Sequence, residues 1–399
     1  MSNFFEQELY SLFYLKDQDQ FLFLDEPREG YLYFQNYRLN LLTGKREIQS
    51  IEELEKQMQL ITMAASVTRP RVFHLFYEYG LVLKGQEVPS ETPLAIYIDY
   101  ANSQINDFSF FKFKKNQTIG LSEINDYKSQ DYEEQFREVH ENLFRGNCYQ
   151  VNLTYRKSFE WVKPKRTPQI FLGKLFSHEK KRGAYAHATY SRVLGKLFLS
   201  NSPECLFQYD PQKQEVFSMP IKGTRKLKSQ KEFKKVWSSM NRSQKEQAEL
   251  FMITDLIRND LSFLNDFSSR VVHEKQPLAV PGILHQYSLI TTKVEKQLSL
   301  FETIEALFPG GSITGAPKKR VMELIKNIEK NKRGFYCGST ILLIGAHKSA
   351  SINIRSCTID FVSKKLEYGT GGGVTLLSKL SCEFEESKLK LSSFIKLLN

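Results

Sequence analysis

The sequence predicts a mixed α+β fold, and three observations carry the prediction. Strand–turn–strand pieces occupy 195–221, around the turn signal Asp210-Pro211, and 340–371. Helical periodicity places Leu250, Ile253, Ile257 and Leu261 on one stripe within 243–261. The same period recurs at 317–330 through Val321, Leu324, Ile325 and Ile328, with no regular βαβ repeat between the pieces.

Residues 1–125 form an N-terminal strand-rich segment expected to pack on the main body. Its apolar runs predict short strands at 20–24, 30–34, 71–77 and 94–100 and one helix over 51–64. Residues 126–399 form the second unit, where helices alternate with paired strands and polar or glycine-rich clusters sit at their ends.

With 399 residues, 41% hydrophobic and 25% charged, the chain has the composition of a globular protein with a sizeable core. No run reaches the roughly 18 apolar residues of a membrane span, and the first fifteen residues lack a secretory pattern. Five scattered cysteines without a Cys-x-x-Cys pair argue against a disulfide framework or zinc site, so a cytoplasmic protein is expected. The net charge of +11 comes from short lysine clusters spread along the chain, with no nucleic-acid-binding module beside them. Neither a nucleic-acid nor a membrane partner is expected.

Four clusters and one arginine carry chemical promise. In Pro220-Ile221-Lys222-Gly223-Thr224-Arg225 a strand meets a glycine, and Lys222 has cationic neighbours that favour a nucleophilic amine. A surface lysine at a strand end is the plain alternative. On the helix at 243–261, Ser243 and Glu246 fit a capping box, whereas Glu249, on the same face, has no capping role. The glycine loop at 310–318 leads into a helix with Pro317 in its first turn. It is either an anion site or an ordinary loop-to-helix junction. Near the C-terminus, Glu383, Glu386 and Lys390 share a helical face, which suits a hard cation or simply a solvated ion pair. Arg355 falls on an apolar strand expected over 352–361, where a guanidinium needs either an internal salt bridge or a bound carboxylate.

Taken in order, these clusters resemble the chorismate-utilising enzymes. The match covers about 131–399, and its landmarks are Gly146-Asn147-Cys148-Tyr149-Gln150, Ser202-Pro203-Glu204, the Lys222 cluster and 249–260. The loop at 310–318, Arg333-Gly334-Phe335-Tyr336, Ile354-Arg355, Gly371-Gly372-Gly373 and Glu383-Phe384-Glu385-Glu386 complete it. The resemblance implies a layered α/β/β/α sandwich of two large packed sheets flanked by helices. Gln150 stands where isochorismate and salicylate synthases carry a lysine base, and Lys222 stands where anthranilate synthases usually carry alanine. Both features point to the aminodeoxychorismate-forming branch.

That branch implies a conversion of chorismate and ammonia to 4-amino-4-deoxychorismate, for p-aminobenzoate and folate. Lys222 would form a covalent adduct at C2 and Glu204 would be the general acid. Magnesium would sit on Glu249, Glu383 and Glu386. Gln150, Gly223, Thr224, Thr314, Tyr336, Arg355, Gly371, Gly373 and Lys390 would bind substrate. No glutaminase segment is recognisable, so a separate glutamine amidotransferase subunit is the expected ammonia source. An anthranilate synthase component I, and a non-catalytic basic binding protein on the same fold, remain the alternatives. The sequence departs from the family pattern at Asn147, at Lys379-Leu380 and at Ser387, which touches positioning but none of the assigned side chains.

Overall fold

A computed structural model describes residues 4–111, 118–124, 127–161, 167–227, 229–265, 268–280, 283–295 and 297–399. The strands of the first third are β1 (Leu9–Leu15), β2 (Gln20–Tyr33), β3 (Arg38–Asn40), β4 (Arg46–Glu47), β5 (Val67–Leu75), β6 (Ala95–Asn106) and β7 (Leu121–Ile124). The middle holds β8 (Gln150–Trp161), β9 (Tyr185–Ser191), β10 (Lys196–Ser202), β11 (Cys205–Asp210), β12 (Glu215–Ser218), β13 (Ile221–Lys226), β14 (Arg270–Val280) and β15 (Ile283–Lys293). The last third adds β16 (Gly315–Ala316), β17 (Ser339–Gly345), β18 (His347–Ile352), β19 (Ser356–Asp360) and β20 (Lys365–Val374). The helices are α1 (Ile51–Gln59), α2 (Tyr77–Leu83), α3 (Ser129–Phe144), α4 (Pro168–Phe176), α5 (Phe233–Asn241) and α6 (Gln244–Ser262). They continue with α7 (Leu300–Leu307), α8 (Gly311–Thr314), α9 (Lys318–Ile328) and α10 (Leu380–Leu398).

The fold is mixed α+β, but hydrogen bonding joins its strands into one curled antiparallel sheet where two sheets are expected. From one end the path runs β14, β15, β12, β11, β18, β17, β5, β6 and β2. It continues through β1, β9, β10, β19 and β20 to β8. The physical reason for the continuity lies in long, bent strands. β2 pairs with β6 along its whole length across a register shift between Pro27 and Glu29. Its first half also serves β1 and its second half β3. Alternation in the sequence sees two strands there, because an irregularity that bends a ladder also breaks the period of two.

The N-terminal strands β1, β2, β5 and β6 occupy the middle of this path, between β9 and β17. The helix expected over 51–64 ends at Gln59, because the next residues are drawn into pairing with 298–300. The two apolar helical stripes are buried as their period requires. Leu250, Ile253, Ile257 and Leu261 of α6 lie in the interior, as do Val321, Leu324, Ile325 and Ile328 of α9. At about 1.5–3 kcal/mol per buried aliphatic side chain, this is enough to hold α6, and with it Glu249, against the sheet.

Candidate active site

Several elements and the bends between them converge on a cavity of about 180 Å³. Its lining includes Glu204, Lys222, Gly223, Glu249, Tyr336, Arg355, Gly371, Gly373, Glu383, Glu386 and Lys390. These residues come from seven separate stretches of chain, and only the fold makes them neighbours.

Lys222 lies on β13, opposite Gln286 of β15, and its Nζ lies 3.4 Å from the carbonyl oxygen of Ser312. The ladder slips between Lys222 and Thr224, and Gly223 takes up the slip at φ +74°, a left-handed conformation that suits glycine. Thr224 follows opposite His285, and its side chain lies outside the described residues. Arg225, the expected cationic neighbour, is committed elsewhere: it pairs with Glu246 at 3.0 Å and with Ser239 at 2.8 Å. The capping box on α6 is therefore half formed. Ser243 Oγ accepts from the Glu246 amide at 3.4 Å while the Glu246 carboxylate goes to Arg225. Glu249, one turn further, faces the cavity.

Glu204 sits just before β11 and is 4% exposed. Burial holds its carboxyl above the ordinary carboxylate range, while Lys222, Ser312 and Arg355 pull it down. A carboxyl shifted this way holds its proton to a higher pH than an exposed one, the direction an acid catalyst needs.

Arg355 corrects the sequence reading of 352–361 as a continuous strand. β18 stops at Ile352 and β19 starts at Ser356, and between them Arg355 bends through φ +52°. Apolar residues in both phases hide such a bend, because it is set by tertiary contacts. Among the described residues no acidic side chain forms an ion pair with Arg355, so the internal salt bridge is not made. An unpaired guanidinium on a cavity wall is a ready site for a carboxylate. Tyr336 stands beside it with its hydroxyl kept protonated by burial, and so can donate a hydrogen bond. Its ring lies where Gly369 would otherwise carry a Cβ, 2.1 Å from that position.

The opposite wall is β20 paired with β8, which brings Gly371 opposite Thr154 and Gly373 opposite Asn152. Lys390 of α10 donates to the Gly371 carbonyl and pairs with Glu386, both at 2.9 Å. α10 is pinned in place by Ser387, which meets the Tyr155 hydroxyl at 2.9 Å and accepts Thr370 Oγ1 on its carbonyl at 2.8 Å. Glu383 and Glu386 thereby face the cavity. The donor set of Glu249, Glu383 and Glu386 is all hard carboxylate oxygen, the chemistry magnesium takes. Among the described residues no three such side chains are drawn together into a cage.

Two expected residues do not line the cavity directly. Thr314 is fully buried and donates its hydroxyl to the Gly310 carbonyl at 2.9 Å. Gln150 is fully buried, its amide nitrogen 2.8 Å from where a Cβ on Gly373 would lie, and neither end of its amide has a described partner. The loop at 310–318 is more regular than expected: it holds α8 and the β16 pairing with β8, and Pro317 caps α9. Lys318 there is neutralised by Asp260 at 2.6 Å, which removes the case for an external anion at that helix.

Two lining residues had no role in the sequence reading. His285 on β15 is neutral at ordinary pH, its pKa lowered to about 4 by burial and then by Arg355. Ser312 of α8 lines the cavity beside Glu204. A histidine in a strand and a serine among glycines give no local signal of such placement.

A buried acid, a cavity-facing amine, a guanidinium without an acidic partner among the described residues and three hard carboxylates gather in one pocket, a setting that suits a small anionic ligand. The chain belongs to the chorismate binding enzyme family, whose pattern it matches over residues 34–396. It is 34% identical over 279 residues to aminodeoxychorismate synthase component 1 of Escherichia coli K12, covering 67% of this chain and 58% of that protein. To the protein of the same name in Bacillus subtilis 168 it is 28% identical over 251 residues, 62% of this chain and 51% of the relative. The matches thus span less than two thirds of these relatives' own length. Among solved structures, anthranilate synthase component I from Streptococcus pneumoniae TIGR4 superposes with a TM-score of 0.74 at 16% identity, over 94% of this chain and 92% of that one. The menaquinone-specific isochorismate synthase of Escherichia coli gives 0.71 at 13% identity, over 100% and 91%. At these identities the likeness is one of fold. Among the described residues no helix is long and apolar enough to cross a membrane.

Proposed function

We propose that the chain is an aminodeoxychorismate synthase component I, converting chorismate and ammonia to 4-amino-4-deoxychorismate. The observation that carries this reading is the cavity shared by Glu204, Lys222 and Arg355, with Arg355 lacking an acidic partner among the described residues. Chorismate is a dicarboxylate with a leaving hydroxyl, and the pocket offers a separate group for each part. Arg355, the Tyr336 hydroxyl and backbone around Gly371 and Gly373 take one carboxylate. Glu249, Glu383 and Glu386 would hold magnesium, whose role when bound is to neutralise the other carboxylate. Lys390 fixes Glu386 and the Gly371 carbonyl.

The Lys222 amine attacks C2 while the C4–oxygen bond breaks, and Glu204 gives its proton to the departing oxygen, which leaves as water. Ammonia then forms the C4–nitrogen bond, the C2–Nζ bond breaks, and the released proton returns to Glu204. Gly223 lines this pocket, and Gln150 and Thr314 are buried behind it. A separate glutamine amidotransferase subunit supplies the ammonia, a reading supported by the "component 1" naming of the relatives.

The test is product identification by mass spectrometry, with chorismate, magnesium and ammonium. A product that retains the enolpyruvyl group supports the reading. Anthranilate would move the chain to the neighbouring branch, and no turnover with ammonium would refute the ammonia-dependent activity.

A further inference from the structure

Ser312 has a position that the mechanism above does not use. It lies in the one-turn α8, between Gly310 and Gly315, with its carbonyl oxygen 3.4 Å from the Lys222 amine. Its hydroxyl is buried and makes no well-formed hydrogen bond among the described residues, yet it lies near enough to Glu204 to favour that carboxyl's charged form. Glu204 Oε1 is likewise buried and unpartnered, and the two side chains face each other across the cavity wall. Buried hydroxyls without partners are uncommon, because leaving one unsatisfied costs free energy. Two adjacent ones on a reaction cavity suggest a bond that is made at another stage of the cycle.

We propose that Ser312 is a positioning residue whose hydroxyl donates to the Glu204 carboxylate formed by proton transfer, while its carbonyl aims the Lys222 amine. The inference rests on the reading of Glu204 as the proton donor. In the resting enzyme burial favours the protonated form of Glu204, which asks less of a donor. Once its proton has gone to the C4 oxygen and water has left, a bare carboxylate remains in a buried site. Lys222 is then tied up in the adduct and Arg355 in holding a substrate carboxylate. Ser312 is the neutral donor left beside it. The bond persists until the ammonia adding at C4 returns a proton to Glu204. A contact that tightens as the carboxyl takes up its charge lowers the barrier without tightening substrate binding.

The charged or titratable groups around Glu204 are Lys222 on β13, Arg355 in the bend before β19 and the Cys205 thiol on β11. His285 on β15, Glu249 on α6, and Glu383, Glu386 and Lys390 on α10 line the same cavity. Ser312 stabilises the ionised carboxyl, so its removal must raise the Glu204 pKa further. The alkaline limb of the kcat profile, where Glu204 loses its proton, then moves to higher pH.

The experiment compares wild type, Ser312→Ala and Ser312→Thr in the full chain with chorismate, magnesium and ammonium. Ser312→Ala is expected to lower kcat roughly ten- to a hundredfold, the worth of a hydrogen bond to a charged group. Its KM for chorismate stays close to wild type and its alkaline limb shifts up. Ser312→Thr keeps the hydroxyl and recovers most of the rate. In parallel, difference infrared spectroscopy against Glu204→Gln follows the Glu204 carboxyl through its titration without turnover. An upward shift in Ser312→Ala supports the contact, even if no variant aminates chorismate, in which case the reading of the reaction alone fails. An unmoved Glu204 titration, or an Ala variant within twofold of wild-type kcat, overturns the proposal.

Discussion

Replacing Arg355 by glycine separates two uses of a guanidinium by the sign of the stability change. Arg355 adopts φ +52°, which costs an L-residue roughly 1–2 kcal/mol that glycine does not pay. Glycine in turn loses about 0.5–1 kcal/mol more backbone entropy on folding. No ion pair among the described residues is broken by the change, and the Glu204 carboxyl, which Arg355 also favours, keeps Lys222 beside it. The variant should therefore unfold at the same urea concentration as wild type or a slightly higher one, a gain of about 0–1.5 kcal/mol. Chorismate binding should suffer heavily, because truncating one side of a buried charge pair costs about 2–5 kcal/mol, some thirtyfold to several thousandfold in Kd. Urea unfolding and calorimetric titration with chorismate measure the two quantities on one preparation. Destabilisation of several kcal/mol with unchanged affinity would mean that Arg355 is a structural ion-pair partner, and the reading of the pocket would fail with it.

Three further outcomes follow from the same geometry. Lys222→Ala should abolish measurable 4-amino-4-deoxychorismate formation while chorismate still binds, and near-wild-type turnover would exclude a covalent role. Gly369→Ala places a methyl 2.1 Å from the Tyr336 ring position, so it should cost about 1–3 kcal/mol by overpacking and raise KM as Tyr336 is displaced. An unaltered KM and urea midpoint would show that the ring moves freely. Glu329→Gln uncouples a buried pair, since Arg333 and Glu329 meet at 2.6 Å with side chains 2% and 4% exposed. A loss of about 3–5 kcal/mol in urea unfolding is expected, and a loss below about 1 kcal/mol would contradict it.

Local order was legible wherever one period decides it. The stripes of α6 and α9 are written at 3.6 residues, and their burial placed Glu249 on a fixed helix. The spacing of Glu383, Glu386 and Lys390 likewise gave one face of α10, although whether that face met solvent or a cavity was open. The path of the sheet was not legible, because the partners are distant in sequence: Leu75 pairs with Ser339, and Leu9 with Ser191. The bend at Arg355 was hidden for the same reason. His285 and Ser312 escaped notice because what marks them is burial beside another charged group, which no spacing encodes.

Sequence shows several basic residues beside glycines or in apolar surroundings, and it ranks them alike. The structure sorts them by how completely each is satisfied. Arg333 donates to Glu329, to the Ile313 carbonyl at 2.7 Å and to the Asn152 carbonyl at 2.6 Å, and its cation lies over the Tyr77 ring. It leaves nothing to offer a ligand, and its work is to clamp α8 against β8. Lys318 is equally spent on Asp260 and the Leu307 carbonyl. Among the described residues Lys222 meets a carbonyl at 3.4 Å and Arg355 has no acidic partner, yet both face the same cavity as Glu204, whose carboxyl burial shifts upward. Polar groups in an interior are normally paired, so unspent capacity gathered in one place is a demand for a ligand of complementary charge. The satisfied cations hold the walls at a fixed distance, and that rigidity lets the unsatisfied ones wait without collapsing onto each other.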